Sequence, residues 1–125
     1  MLTGSFGCRR ASDLPALGNV GTFSLTDQAR RPVSAETMRG QVWAAAFFFT
    51  RCPTVCPRIT RRMHALQQAA AKDSVKLHLV SFSVDPDNDT PEVLTAYAKQ
   101  YGADLSTWRF LTGRPQRRRR SRCAL

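Results

Sequence analysis

Eight successive apolar residues occupy positions 42–49. A run of that length is too short to cross a membrane and predicts a central strand buried on both faces. Beyond Pro53 the apolar positions Val55, Ile59, Met63, Leu66 and Ala70 recur at spacings of three and four, one face of an α-helix that ends at Lys72-Asp73-Ser74. Residues 75–84 are rich in β-branched and aromatic side chains and predict a second long strand, so that strand, helix and strand form a unit whose strands run parallel. Upstream, residues 22–26 alternate polar and apolar side chains as a half-buried strand does. Residues 27–32 read as a turn, and residues 33–40 as a short second strand with one helical turn, a hairpin leading into the core. Downstream, residues 85–91 are a polar break in which Thr90 before Pro91 predicts a helix start. Leu94, Tyr97, Ala98 and Tyr101 carry the helical spacing, Gly102 is a natural stop, and a third strand is expected at residues 108–112.

The alternation of parallel units with a hairpin makes the chain α/β, with a mixed sheet and flanking helices. At 125 residues it suits one domain. The formal charge of +10 points to nucleic acid until it is divided along the chain. Residues 114–125 hold six of the 19 basic residues and no acidic ones, which leaves 13 basic against 9 acidic residues, +4, in the remainder. The Arg117–Arg120 run therefore reads as a solvated end rather than a nucleic-acid site. Residues 1–21 read as an extended lead-in or tether, 22–113 as the folded domain and 114–125 as a basic tail unrelated to it, as a frameshift or truncation would produce. The strand at 108–112 is then expected to lack cover and to leave apolar surface and an open sheet edge.

Chemistry concentrates at Cys52-Pro53-Thr54-Val55-Cys56-Pro57. Both thiols fall where the apolar strand gives way to the helix, the end at which ligand sites of open α/β sheets gather and where unbonded N–H groups stabilise negative charge. Pro53 and Pro57 stiffen the corner. The result is a bidentate dithiol, and two soft thiolates favour Cu(I), which accepts two or three ligands, over zinc, which wants four. The other class open to such a pair is a thiol-disulfide oxidoreductase acting on protein cysteines, although its exchange motif usually has two intervening residues, not three. Cys8 and Cys123 are outliers. Residues 1–7 lack the charged and apolar regions of a complete signal peptide. Ser5-Phe6-Gly7-Cys8 is similar to the small-residue box before a lipid-modified cysteine, the alternative being an incidental thiol in an extended end.

Four segments together resemble the SCO/SenC family of thioredoxin-like copper proteins: Phe23-Ser24-Leu25-Thr26-Asp27, residues 47–57 with their two cysteines, residues 83–91 with Asp85-Pro86 and Thr90-Pro91, and Trp108-Arg109-Phe110-Leu111-Thr112-Gly113. The resemblance spans about residues 20–113 and implies a thioredoxin-like fold that would continue into an antiparallel hairpin and a last helix. It implies a cell-envelope protein, anchored on the periplasmic side of the membrane, that helps assemble the CuA centre of cytochrome c oxidase, with the oxidase subunit carrying that site or another copper or thiol protein as partner. Cys52 and Cys56 match the family's copper and redox cysteines, and Asp85 its acidic loop position. The family's third ligand, a histidine, lies in the segment that follows. Neither His64, expected on the polar side of its helix, nor His78, within a strand, matches it.

Overall fold

The computed structural model describes residue 15 and residues 17–113. The expectations for the tether, Cys8, the arginine run and Cys123 lie outside the described residues. Strands β1 (Ser24–Asp27) and β2 (Pro32–Ser34) form the expected antiparallel hairpin, Leu25 opposite Val33. The Asp27 carboxylate builds its turn by accepting from the N–H groups of Ala29 and Arg31, both at 2.9 Å, and from Arg31 Nε at 3.0 Å. A 3₁₀ turn at Glu36–Met38 then buries Met38. Strand β3 (Trp43–Phe48), helix α1 (Val55–Lys72), strand β4 (His78–Ser83), helix α2 (Pro91–Gln100) and strand β5 (Trp108–Thr112) complete the order. The sheet runs β2-β1-β5-β4-β3, with β3, β4 and β5 parallel and β1 antiparallel to β5.

Both helices pack on one face of this sheet. Phe48, Leu79, Trp108 and Phe110 from the strands meet Cys56 and Met63 of α1 and Leu94, Tyr97 and Ala98 of α2. Polar groups drawn into that layer find partners, as burial requires, with Thr112 Oγ1 the exception among the described residues. Tyr97 Oη bonds Thr60 Oγ1 at 2.8 Å, and Trp108 Nε1 donates to Ser81 Oγ at 3.0 Å. The Gln67 side chain donates to the Asp104 carbonyl and Thr107 Oγ1 and accepts from the Asp104 N–H, tying α1 to the loop before β5. The opposite face is thinner: Val33, Met38, Val80 and Leu111 are buried, with Phe23, Leu25, Trp43 and Phe82 half-buried around them.

Three expectations are corrected. First, β3 is an edge strand among the described residues, not a central one, and its outward side chains Ala45 and Phe47 are exposed, Phe47 by 66%. An unbroken apolar run records hydrophobicity but not strand order. Second, β5 is the middle strand, and Trp108, Phe110 and Leu111 are completely buried, because β1 adds antiparallel along the side that was expected to be open. The uncovered apolar surface lies instead at Phe47 and Val84, around a hollow of about 280 Å³ lined also by Phe23, Leu25 and Phe82. Third, β4 is shorter than its apolar stretch. Helix α1 closes through Ser74, at φ 55°, and a bond from the Val75 N–H to the Ala70 carbonyl, so Val75 is spent on the helix end and stays exposed.

Candidate metal centre

The chain leaves β3 at Phe48, turns through residues 49–54 and enters α1 at Val55. The turn closes with a bond from the Cys52 N–H to the Phe49 carbonyl at 3.2 Å. Thr54 stands at the helix N-cap, yet its side chain accepts no capping bond. The first-turn N–H groups, left without intrahelical partners, are taken up by Cys52 Sγ. The N–H of Cys56, then that of Thr54, then the Cys56 thiol and the Val55 N–H pull the Cys52 pKa from 9.0 down to about 6. Cys52 is therefore a thiolate at neutral pH, occupying the place a capping oxygen usually fills.

Cys56, one turn along and 7% exposed, moves the other way. Burial pushes its pKa up, and the neighbouring Cys52 and Asp89 charges add to the shift. Both cysteines are reduced, Cys52 half-buried and Cys56 buried in the helical core layer. The pair thus comprises one accessible thiolate and one sheltered thiol, joined by the hydrogen bond between them.

Asp89 was not singled out by the sequence reading. It is 0% exposed, and its carboxylate accepts from the Thr50 N–H at 3.2 Å, from Thr50 Oγ1, and from Ser83 Oγ at 2.6 Å. It locks the turn that carries Cys52 onto the end of β4, immediately before the Thr90 cap of α2. The only signal in the chain was an aspartate directly before a capping Thr-Pro, which reads as solvated loop unless its burial is known. Asp85, the acidic position that was singled out, is half-buried and receives the Asn88 amide at 2.9 and 3.1 Å; its backbone carbonyl accepts from the Asp89 N–H. It shapes the loop that presents Asp89.

The histidines lie apart from the dithiol in the fold. His64 is half-buried, not solvent-facing: its Nε2 lies 3.5 Å from where a Cβ on Gly102 would stand, at the end of α2. His78 opens β4 opposite Trp43, at the other end of the strand from the cysteine turn. Among the described residues no three His, Cys, Asp or Glu side chains converge as a metal site. The donor set offered is two sulfurs, chemistry suited to a soft monovalent ion or to reversible disulfide formation.

Comparison with known proteins bears on the family and the fold. Residues 13–121 match the SCO1/SenC family model. A SCO1/SenC family lipoprotein from Bacillus anthracis superposes with a TM-score of 0.74 at 43% identity, over 77% of this chain and 57% of its own. BsSco, described with a disulfide switch and as a member of the Sco family of cytochrome c oxidase assembly proteins, gives 0.72 at 40% identity, over 76% and 56%. ScoI of Bradyrhizobium japonicum, solved with copper bound, gives 0.67 at 33% identity, over 76% and 59%. The chain thus spans little more than half the length of these relatives. With a family match over most of its residues and a mixed sheet shared with these structures, the chain belongs to the SCO1/SenC family and has its thioredoxin-like fold.

Proposed function

We propose that this chain carries Cu(I) as cargo on Cys52 and Cys56 and hands it to the CuA-bearing subunit of cytochrome c oxidase or to another copper or thiol protein. The observation that carries the reading is the pairing of an accessible thiolate, Cys52, with a thiol one helical turn away on the same corner. A relative of 33% identity solved with copper supports it. Asp85 supports the site indirectly, through Asn88 and the loop that holds Asp89. A place in the cell envelope, on the periplasmic side and anchored through a lipidated Cys8, completes the proposal, and the lipoprotein nature of the Bacillus anthracis relative favours it. With it goes a proposed division into tether, domain and tail at residues 1–21, 22–113 and 114–125.

The test is Cu(I) competition against a chromophoric chelator, in a Cys8→Ser, Cys123→Ser background. The reduced chain binds about one Cu(I), and Cys52→Ser or Cys56→Ser weakens it by at least about tenfold. His64→Ala and His78→Ala leave affinity unchanged, and X-ray absorption shows sulfur neighbours without an imidazole signal. A Cys56→Ser chain that keeps parental affinity sinks the reading.

A second reading is favoured by the opposite pKa shifts of the two thiols and by the disulfide switch described for BsSco. As a thiol-disulfide oxidoreductase the chain attacks a partner disulfide through Cys52 and releases one partner thiolate. Cys56 then attacks the mixed disulfide and frees the second, leaving Cys52–Cys56 oxidised and the partner reduced by two electrons. Turnover of a protein disulfide by a chain that holds no copper would select this reading.

A further inference from the structure

Four arginines flank the dithiol closely along the chain. Arg51 directly precedes Cys52, Arg58 lies two residues past Cys56, and Arg61 and Arg62 follow; all four are exposed. The segment 51–72 contains five basic residues and no Asp or Glu. On α1, Arg58 shares a face with Arg61 and Arg62, three and four residues on. The ion pairs Arg30–Glu92 and Arg31–Asp27 involve none of them. Two carboxylates at the same end of the sheet are engaged elsewhere, Asp85 with Asn88 and Asp89 with Thr50 and Ser83. The positive end of the α1 dipole adds to the same field.

Charge is accompanied by apolar surface. A shallow groove of about 550 Å³ runs between α1 and the β3 edge, with Ala45, Val55, Ile59 and Leu66 along it and Arg58 and Arg62 at its rim. Val55, in the first turn beside Cys56, is 58% exposed. Guanidinium groups around an apolar floor match a protein surface with an apolar centre and carboxylates around it. Nucleic acid is the poorer fit, because α1 presents no Phe, Tyr or Trp on which a base would stack.

We infer that the collar of Arg51, Arg58, Arg61 and Arg62 selects an acidic protein partner and docks it over Cys52, the sulfur at which copper or electrons pass. This rests on the dithiol being the reactive site, and names the class of partner that reaches it. Such a collar acts through encounter rate, so its signature is a preference for negatively charged reactants that salt erases.

The experiment uses the full chain with Cys8→Ser and Cys123→Ser and contains no copper. Rates of dithiol oxidation are compared for an anionic disulfide, 5,5′-dithiobis(2-nitrobenzoate), a neutral one, 2,2′-dithiodipyridine, and a cationic one, cystamine. In each case Cys52 displaces one probe thiolate and Cys56 the second. The order is expected to favour the anionic probe over the cationic one relative to a small-molecule dithiol. Replacing Arg58, Arg61 and Arg62 by Gln lowers the anionic-to-neutral ratio by about tenfold, leaves the neutral rate within about twofold, and removes the salt dependence. Arg117–Arg120 replaced by Gln leaves the ratio unchanged. A ratio that ignores the helix substitutions, or that falls equally with the tail substitutions, overturns the proposal. So does a DNA duplex that binds at about 0.15 M salt and is released by the helix substitutions, since that makes the collar a nucleic-acid surface. Failure to hold Cu(I) would leave this result standing, and failure here would leave Cu(I) binding standing.

Discussion

Cys52 behaves as a helix cap that happens to be reactive. Its pKa of about 6 lies below the ordinary 9.0, so the folded, reduced chain favours the ionised sulfur more than the unfolded chain does. The resulting stability is fully present above about 9 and is lost as pH falls through about 6. Cys56, raised by burial, acts with the opposite sign, but only once pH climbs through 9.0. Melting of the reduced parent and of Cys52→Ser at about pH 5.5 and about pH 8 should therefore show a gap that widens at the higher pH. Asp89 invites a second substitution at this scale. Asp89→Asn turns an amide donor toward one of three donors, the Thr50 N–H, the Thr50 hydroxyl or the Ser83 hydroxyl. It should cost about 2 kcal/mol in chemical denaturation and make Cys52 alkylation slower relative to Cys56, because the turn that aims Cys52 is released. Asp85→Asn, which keeps an acceptor for Asn88, should do much less. Cys52 and Cys56 were visible in the chain as residue types in a pattern, and Asp85 through the family resemblance. The burial of Asp89 was not, since a carboxylate in a polar loop is ordinarily solvated.

The elements were mostly legible because each has a local cause. Helix α1 spans the 18 residues its apolar stripe requires, and α2 begins where Thr90 Oγ1 accepts from the Val93 N–H with Pro91 in the first turn. Gly102 ends it at φ +67°, a left-handed conformation that side chains resist. Gly102→Ala should lose about 1 kcal/mol, read as a lower thermal midpoint. The imidazole of His64, 3.5 Å from the new Cβ, would remain in ordinary contact, so the loss is conformational and not steric. Strand ends were less legible, as at Val75. There the helix C-terminus and the next strand compete for the same residues, and the helix won through the Val75 N–H bond to Ala70.

At the scale of the molecule the consequence is an uneven sheet, thick with two helices on one face and thin on the other. Phe47 stacks on Phe82 with ring centroids 5.4 Å apart, yet remains two-thirds exposed beside Val84 on an edge strand that carries no charge and no proline. Such an edge pairs with others of its kind. The chain should self-associate with rising concentration in sedimentation velocity, and Phe47→Lys should restore the monomer without lowering the thermal midpoint. A parent that stays monomeric at about 100 µM would contradict this. By itself the sequence determined what is local: the hairpin turn, the two helices and their ends, the dithiol and its placement at a strand-to-helix corner. Those follow from periodicity, caps and turn chemistry within a few residues. Tertiary structure alone decided that β5 and not β3 sits in the middle, that Asp89 rather than Asp85 holds the turn carrying the thiols, and that one thiol is lowered while the other is raised. Each of these depends on which strand lies beside which and on how much water is excluded, quantities set by residues dozens of positions apart.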